Sequence, residues 1–331
     1  MSGDLFALLQ QAVLAFQRGD LALAEQLTRQ VLSVQPRHFD ALHLLGVINA
    51  CAGNNENAVS IYRDALKING NSEELRINLG LAMVAVGKHK DALINFKKAA
   101  VLNPGNSGNY SNVGNVQKEL GLFDEALASY EQALKITPDY VEAWSNRGVT
   151  LHDLKRYDEA LASYEQALKL KPDYAEAWSN RGITLHDLKR YDEALASYEQ
   201  ARKIKPDFVK AWSNRGVVLK DLGRYEEALA SDEQALKIDR GYAEAWSNRG
   251  NTLRHLKRYD EAIESYDKTL ALRPDYSEAW SNRGVALHDL KRYEEALASY
   301  GQAVKITPDY TEAWSNRGIT LSDLKRYDEA L

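Results

Sequence analysis

Cysteine is almost absent from this sequence, with only Cys51 among 331 residues. A disulfide framework within the chain is therefore excluded, and Cys51 stands between two alanines with no candidate base beside it. No stretch approaches the roughly 18 consecutive apolar residues typical of a membrane-spanning helix. Residues 1–16 also lack the basic start and the long apolar run of a signal peptide. We therefore expect a soluble, cytoplasmic protein that does not enter a membrane.

Blocks of basic residues are also missing, and the formal net charge at pH 7 is −5. Neither feature suits a protein that binds the phosphates of a nucleic acid. The sequence contains no glycine-rich phosphate loop and no nucleophile elbow. We therefore expect no nucleic-acid partner, no cofactor and no enzymatic activity.

Repetition is the dominant feature of the sequence. The stretch 141–174 returns almost unchanged at 175–208 and 277–310, and with more changes at 209–242 and 243–276. The tryptophans all stand 34 residues apart, at Trp144, Trp178, Trp212, Trp246, Trp280 and Trp314. The prolines keep the same register, at Pro36, Pro104, Pro138, Pro172, Pro206, Pro274 and Pro308. A strict period of this size predicts one supersecondary unit that stacks on its neighbours.

Each unit reads as a helical hairpin. Two runs of residues with helical spacing occur in 141–174: Ala143, Trp144, Gly148, Leu151 and Leu154, then Tyr157, Ala160, Leu161, Tyr164, Ala167 and Leu168. Lys155-Arg156 separates the two runs, and Asp139, three residues before Glu142, predicts a capping box at the first helix. Glycine in mid-helix costs about 1 kcal/mol, so the recurrence of Gly148 predicts a close approach of two helices.

The residues Trp144, Gly148, Ala160, Tyr164 and Pro172 resemble the pattern of the tetratricopeptide repeat. The resemblance implies an all-α fold, a right-handed α-solenoid (superhelix) of about nine and a half helix-turn-helix units. We expect one solenoid over residues 1–331, with four divergent repeats at 5–140, five near-identical repeats at 141–310 and a partial tenth repeat at 311–331.

One departure from the family pattern is Arg147, which replaces the usual leucine and recurs in every later repeat. We expect its stem to lie over the seam between repeats and its guanidinium to reach a neighbouring carboxylate or solvent.

The N-terminal stretches 6–27 and 36–48 resemble the arm of bacterial O-GlcNAc-transferase-like (SPINDLY-type) proteins. That resemblance implies a substrate-binding arm whose catalytic domain is absent from this chain.

The tetratricopeptide resemblance also implies a concave groove that binds an extended peptide or a partner protein. We expect the groove to be lined by the side of the first helix that carries Glu142, Ser145, Asn146, Val149 and Asp153. Its most regular feature is an asparagine ladder: Asn78, Asn112, Asn146, Asn180, Asn214, Asn248, Asn282 and Asn316. An amide offers both a donor and an acceptor to a peptide backbone. The alternative is that these asparagines bond to neighbouring helices or to water.

Two repeats, 209–276, depart from the others within this groove. Lys210 replaces a glutamate, Lys220 and Arg254 replace the histidine, and His255 replaces the aspartate. We expect an acidic segment of the ligand to dock there, with drift at tolerant surface positions as the alternative. His152, His186 and His288 lie one repeat or more apart, too far to converge on one metal ion, so no metal site is expected.

The same region carries an unusual core residue, Asp232, which stands where Tyr164, Tyr198, Tyr266 and Tyr300 fill the core of other repeats. A lone buried carboxylate is costly. We therefore expect Asp232 to find a cation, to reach water or to loosen its unit, which makes 209–242 the weakest repeat.

The two ends of the array are apolar. At one end we expect an exposed surface formed by Trp314, Ile319, Leu321, Leu324, Tyr327 and Leu331, and at the other end one formed by Leu5, Phe6 and Leu9. Head-to-tail association through these surfaces would give a homo-oligomer or filament. A self-assembling structural polymer is therefore an alternative to a scaffold that binds a protein or peptide.

Overall fold

The computed structural model describes residues 2–330, which form twenty helices and no strand. The helices are α1 Ser2–Gln17, α2 Leu21–Val34, α3 Phe39–Cys51, α4 Asn55–Leu66, α5 Glu73–Ala85, α6 His89–Leu102, α7 Ser107–Glu119, α8 Phe123–Ile136, α9 Val141–Asp153, α10 Tyr157–Leu170, α11 Ala175–Asp187, α12 Tyr191–Ile204, α13 Val209–Asp221, α14 Tyr225–Ile238, α15 Ala243–His255, α16 Tyr259–Leu272, α17 Ser277–Asp289, α18 Tyr293–Ile306, α19 Thr311–Asp323 and α20 Tyr327–Ala330.

The helices pair into hairpins, as the sequence predicts, with an odd-numbered first helix and an even-numbered second helix. The chain divides into two compact units, Met1–Leu170 and Lys171–Leu331. In each unit every helix packs against the next, and first helices of successive repeats also contact each other, as α3 does α5 and α13 does α15. The fold is therefore an all-α solenoid of stacked hairpins. Within the described part of the chain no helix is long and apolar enough to cross a membrane.

The turn inside the hairpin lies at Lys155-Arg156, which confirms the predicted position. Lys155 has a φ of 59°, its N–H donates to the His152 carbonyl at 2.8 Å, and the Arg156 N–H donates to the Leu151 carbonyl at 2.8 Å. This pair of bonds ends α9 in a Schellman motif. Arg156 then holds Glu159 in the first turn of α10, with Nε 2.7 Å from Oε1.

The start of the first helix differs from the prediction. The helix α9 begins at Val141 after an N-cap Tyr140, and no side chain caps it. The predicted capping box at Asp139 and Glu142 is therefore wrong, because Asp139 lies one residue before the N-cap and Tyr140 has no short acceptor side chain.

The core of seven of the hairpins contains an aromatic ring that fits against a glycine. Tyr164 is 1% exposed, and a Cβ placed on Gly148 would lie 2.6 Å from its Cε1 atom. The predicted close approach at Gly148 is confirmed. The same pairing recurs along the chain, for example between Gly80 and Phe96.

From α9 onward, a tryptophan holds the loop that precedes each first helix. The indole Nε1 of Trp144 donates to the Pro138 carbonyl at 2.9 Å, and Trp246 donates in the same way to the Arg240 carbonyl at 2.9 Å. Trp144 and Trp246 are half-buried and pack against the second helix of the preceding repeat, at Leu134 and Leu236.

The recurring arginine links three helices. Arg147 Nη1 donates to Ser163 Oγ at 2.6 Å, and Nη2 lies 3.5 Å from Glu131 in the preceding repeat. Arg283 Nε lies 2.7 Å from Asp267 of its own preceding repeat. The prediction that this guanidinium reaches a neighbouring carboxylate is confirmed at these positions.

Arg215 is an exception to this linkage. It contacts Ser231, but the carboxylate of Glu199 is held by Arg202, whose Nε lies 2.5 Å from Oε2. Burial lowers the pKa of Arg215, and the neighbouring Arg202 lowers it further. Arg202 stands where other repeats have an apolar residue, and its guanidinium lies 4.6 Å from the ring centre of Trp212.

Asp232 is the second unusual residue of the repeat 209–242, because it occupies the core position that an aromatic ring fills in other repeats. It is fully buried, and its Oδ2 accepts a hydrogen bond from Thr252 Oγ1 at 3.3 Å. Its Oδ1 has no partner within residues 2–330, and no cation forms an ion pair with it there. Burial raises the pKa of Asp232 well above its ordinary value. Of the three outcomes that the sequence left open, a cation partner and access to water are excluded for the described residues. The loosening of the repeat stays a prediction.

Candidate functional site

The asparagine ladder lies on the first helices, from α5 to α19, and each of its eight side chains is half-buried. Three of them bond to the preceding repeat through the amide nitrogen. Asn78 Nδ2 lies 2.9 Å from His43 Nε2, Asn146 donates to Asn115 Oδ1 at 3.0 Å, and Asn248 donates to Ser213 Oγ at 3.0 Å. Within the part of the chain described, no hydrogen bond engages the amide oxygens of these three. At these three positions the amide donor is held by the preceding repeat and the amide acceptor is left open.

One predicted groove residue is not on the surface. Ser145 is 3% exposed, and its counterpart Ser213 is 1% exposed. The correction has a physical reason, since the ladder asparagine of the following repeat covers this position, as the Asn248 bond to Ser213 shows. A helical wheel drawn for one repeat cannot reveal a side chain covered by the next repeat.

The histidines beside the ladder form pairs between repeats. His186 Nε2 lies 2.8 Å from Asp221 Oδ2, and His288 Nε2 lies 2.9 Å from Asp323 Oδ2. Each pair joins one first helix to the next. From the sequence we considered these histidines only as metal ligands and did not predict the pairs. The signal for the pairs in the sequence is a histidine followed 35 residues later by an aspartate. Within the described ranges no group of three or more His, Cys, Asp or Glu side chains is arranged to hold a metal ion.

The pairing fails where the sequence turns basic. Lys220 stands in the histidine position, and the next repeat offers it His255 instead of an aspartate. His255 stacks on Tyr225, with ring centres 4.9 Å apart and planes 5° apart. Burial lowers the pKa of His255, and Arg254 and Lys220 lower it further. Arg254 Nε is buried and has no partner among the residues described.

The structure therefore brings together only part of the predicted basic patch. Lys220, Arg254 and His255 act on one another, but Lys210 is exposed in the first turn of α13. Ten residues along a helix separate Lys210 from Lys220 by about 15 Å. Lys220, Arg254 and His255 together form a basic cluster.

A cleft of about 360 Å³ opens on the ladder in the first unit. Asn112 and Asn146 line it, and Asn115 lies between them. Asn115 was not among the predicted groove residues, yet it accepts hydrogen bonds from Tyr130 at 2.8 Å and from Asn146 at 3.0 Å. A volume near the lower end of the range for ligand sites suits one side chain of a bound peptide.

The predicted end surfaces are only partly exposed. Trp314 is 47% exposed, Ile319 53%, Tyr327 60% and Phe6 62%. Leu5, Leu9 and Leu324 are half-buried. Leu321 is 1% exposed, so it adds nothing to such a surface, and Leu331 lies outside the described residues. Contact between the two ends stays a prediction.

Comparison with family models settles the family. A model described as tetratricopeptide repeat matches residues 139–207 and 241–309, and a second, described as TPR repeat, matches 114–155. A third, also described as tetratricopeptide repeat, matches 9–74, 190–243 and 292–331. Together these matches leave only residues 1–8 and 75–113 unmatched. The chain belongs to the tetratricopeptide repeat family.

Solved structures agree on the fold. A chain of the APC/C hetero-tetramer Cut9-Hcn1 is similar with a TM-score of 0.64 and 16% sequence identity. The similarity covers 90% of the present protein and 59% of the Cut9-Hcn1 chain. A tetratricopeptide repeat protein from Parabacteroides merdae ATCC 43184 has a TM-score of 0.60 and 20% identity over 75% of this chain and 98% of that one. No curated protein matches this sequence. The resemblance of residues 6–48 to O-GlcNAc-transferase-like arms stays a prediction.

Proposed function

We propose that this tetratricopeptide repeat protein is a scaffold that binds an extended peptide segment of a partner protein along the asparagine ladder. The family membership supports a role in protein–protein interaction. The observation that carries the finer proposal is the geometry at three ladder positions, where Asn78, Asn146 and Asn248 bond to the preceding repeat through the amide nitrogen and leave the amide oxygen open. An amide oxygen accepts a hydrogen bond from any peptide N–H, so the ladder would bind backbone with little regard to sequence.

The basic cluster would supply the sequence preference. Arg254 has a buried Nε without a partner among the described residues, and Lys220, which lies 3.3 Å from Asp221 Oδ1, has His255 and not an aspartate opposite it in the next repeat. A carboxylate from the ligand would give Arg254 a partner, and Lys220 beside it would add to the attraction. Charge-assisted hydrogen bonds of this kind are about twice as strong as neutral ones. The ligand would therefore carry an aspartate or glutamate opposite α13 and α15.

The resemblance of the N-terminal stretches suggests a setting for this binding. If residues 6–48 belong to an O-GlcNAc-transferase-like arm, the same ladder would present substrates to a catalytic domain elsewhere in the assembly. The proposal assigns no catalytic residue and no cofactor to this chain.

The test begins with a peptide array of random decapeptides, from which an acidic binder is taken. The change Asn180→Ala with Asn214→Ala and Asn248→Ala removes three amides from the ladder. Each lost bond costs about 0.5–1.5 kcal/mol, so we expect the affinity to fall at least about tenfold. The matched control changes three second-helix amides, Gln166, Gln200 and Gln234, to alanine and should leave the affinity unchanged.

A second variant tests whether the positive charges of the basic cluster are needed for binding. Lys220→His with Arg254→His restores the residue found in flanking repeats and should weaken binding and flatten its salt dependence. Lys210→Glu should do neither, because Lys210 lies about 15 Å from the cluster. Unchanged affinity of the asparagine variant for a peptide cross-linked to the first helices would refute the proposal.

A further inference from the structure

A second cleft lies away from the ladder, between the second helices α14 and α16. Its volume is about 670 Å³, and the half-buried indole of Trp246 lies in its wall. Leu236 and Leu272 add apolar surface, and Leu272 is 45% exposed. No ladder asparagine lines this cleft. Ligand sites commonly have about 300–1,000 Å³ of volume and largely apolar walls, so the size and lining suit a bound group.

The rim of the cleft is positively charged. Lys237, Arg240 and Lys268 line it, and none of the three forms an ion pair within residues 2–330. Of the two acidic residues at the rim, Glu233 lies 3.6 Å from Arg249, while Glu264 has no ion-pair partner there. The unpaired charges therefore sum to +2, on a protein whose formal net charge is −5. This local reversal of charge marks the cleft as a site for an anionic group.

Arg240 is particular to this place in the array, and the position of Lys268 carries a lysine in one other repeat, at Lys98. The equivalent cleft at Trp144, 102 residues earlier, has a volume of about 380 Å³. There, Pro138 stands in the position of Arg240, and Gln166 stands in the position of Lys268. The larger and more basic cleft is thus a local modification of a feature that the repeat already has.

We propose that the Trp246 cleft binds an acidic peptide segment that carries a large apolar side chain. The apolar side chain would lie against Trp246 and Leu272, and flanking carboxylates would pair with Arg240 and Lys268. Three cations around one apolar wall suit one or two carboxylates, whereas a nucleic acid needs a long basic track, which this acidic chain lacks. The site is separate from the ladder and does not depend on the function proposed for it.

The experiment uses the full chain labelled with 5-fluorotryptophan, so that each tryptophan gives one fluorine resonance. The substitution W246F assigns the resonance of Trp246, and W144F assigns that of Trp144. The probe is the capped peptide Glu-Glu-Phe-Glu-Glu, and we expect it to shift the Trp246 resonance saturably with a Kd on the order of 1 mM or tighter. The Trp144 resonance should not move.

Probes and variants separate the two parts of the interaction. The peptides Gln-Gln-Phe-Gln-Gln and Glu-Glu-Ala-Glu-Glu should each bind at least about tenfold more weakly. The double variant R240P with K268Q introduces the residues found at these positions in other repeats, so the fold should persist, and it should abolish the shift. The reciprocal variant P138R with Q166K should make the Trp144 resonance respond.

Three results would overturn the proposal. They are no saturable shift of Trp246 at millimolar peptide, equal responses of Trp246 and Trp144, and binding that survives R240P with K268Q. A shift produced by an RNA oligonucleotide but not by the peptide would also overturn it, in favour of a polyanion site.

Discussion

The ring of Tyr164 occupies the space that a side chain at position 148 would need. A Cβ on Gly148 would lie 2.6 Å from Cε1, and the ring is 1% exposed, so it has no room to withdraw. Every repeat with a tyrosine or phenylalanine at this place has the same contact, and it sets how closely the two helices of a hairpin pack.

The first prediction concerns Gly148→Ala. Alanine favours a helix over glycine by about 1 kcal/mol, but overpacking a filled core costs about 1–3 kcal/mol. We expect the free energy of unfolding to fall by about 1 kcal/mol, as measured by urea denaturation. Gly301→Ala is the matched control, since Gly301 lies inside α18 and a Cβ added there would meet nothing within 4 Å. That variant should be more stable by about 0.5–1 kcal/mol, and equal effects of the two changes would contradict this account.

The second prediction concerns Asp232→Tyr. The change removes a buried carboxyl with one unpartnered oxygen and restores the ring that faces glycine in other repeats. We expect a gain of roughly 2 kcal/mol or more, seen as a higher Tm. Tyr164→Asp in the equivalent place should cost at least as much. A lower Tm for Asp232→Tyr would show that the carboxyl has a structural partner that the sequence and the fold conceal.

The third prediction concerns pH. Burial raises the pKa of Asp232 in the folded state above its unfolded value of about 3.9. A raised folded pKa means that the folded state binds the proton more tightly. The stability linked to it is therefore fully present below the unfolded pKa and is lost as the pH rises through the folded pKa.

The reference for this effect is Asp232→Asn, which is uncharged at every pH. The stability of the natural chain relative to this variant should fall as the pH rises above about 4 and should level off once Asp232 ionises. Chemical denaturation of both proteins across the pH range measures this difference. A difference independent of pH would show that Asp232 is solvated.

The fourth prediction concerns the turns. Lys155, Lys189, Lys257, Lys291 and Lys325 all have φ between 58° and 61°, where other repeats have glycine. This conformation costs a non-glycine residue about 1–2 kcal/mol, of which the flexibility of unfolded glycine offsets part. We expect Lys155→Gly to add up to about 1 kcal/mol. The reverse change, Gly121→Lys, meets nothing within 4 Å and should lose a similar amount; no change in Tm for either variant would argue against backbone strain.

The sequence predicts the hairpins, the turn at Lys155 and the contact at Gly148 because these depend on residues within one repeat. It does not predict the His186–Asp221 pair or the burial of Ser145. Both depend on how one repeat is rotated and shifted against the next, and a helical wheel of one unit carries no such information. Asp232 lies between these cases. Its burial follows from the repeat register, but its single bond to Thr252 comes from the following repeat.

The same distinction explains the candidate site. The ladder asparagines can be identified from the period alone, and their half-burial follows from the shared helix position. Which of their atoms remain open depends on His43, Asn115 and Ser213 in preceding repeats. The separation of Lys210 from the basic cluster follows from simple helix geometry and could have been predicted from the sequence.

The indole of Trp246 donates to the main-chain carbonyl of Arg240, as Trp144 does to that of Pro138. A main-chain acceptor is present whatever side chain the residue carries, so the loop is held equally well by proline and by arginine. After a repeat duplicates, this position can therefore change its chemistry without loss of the loop geometry. In a designed array, the residue at this position could be varied from repeat to repeat to give the cleft beside each tryptophan a different binding specificity.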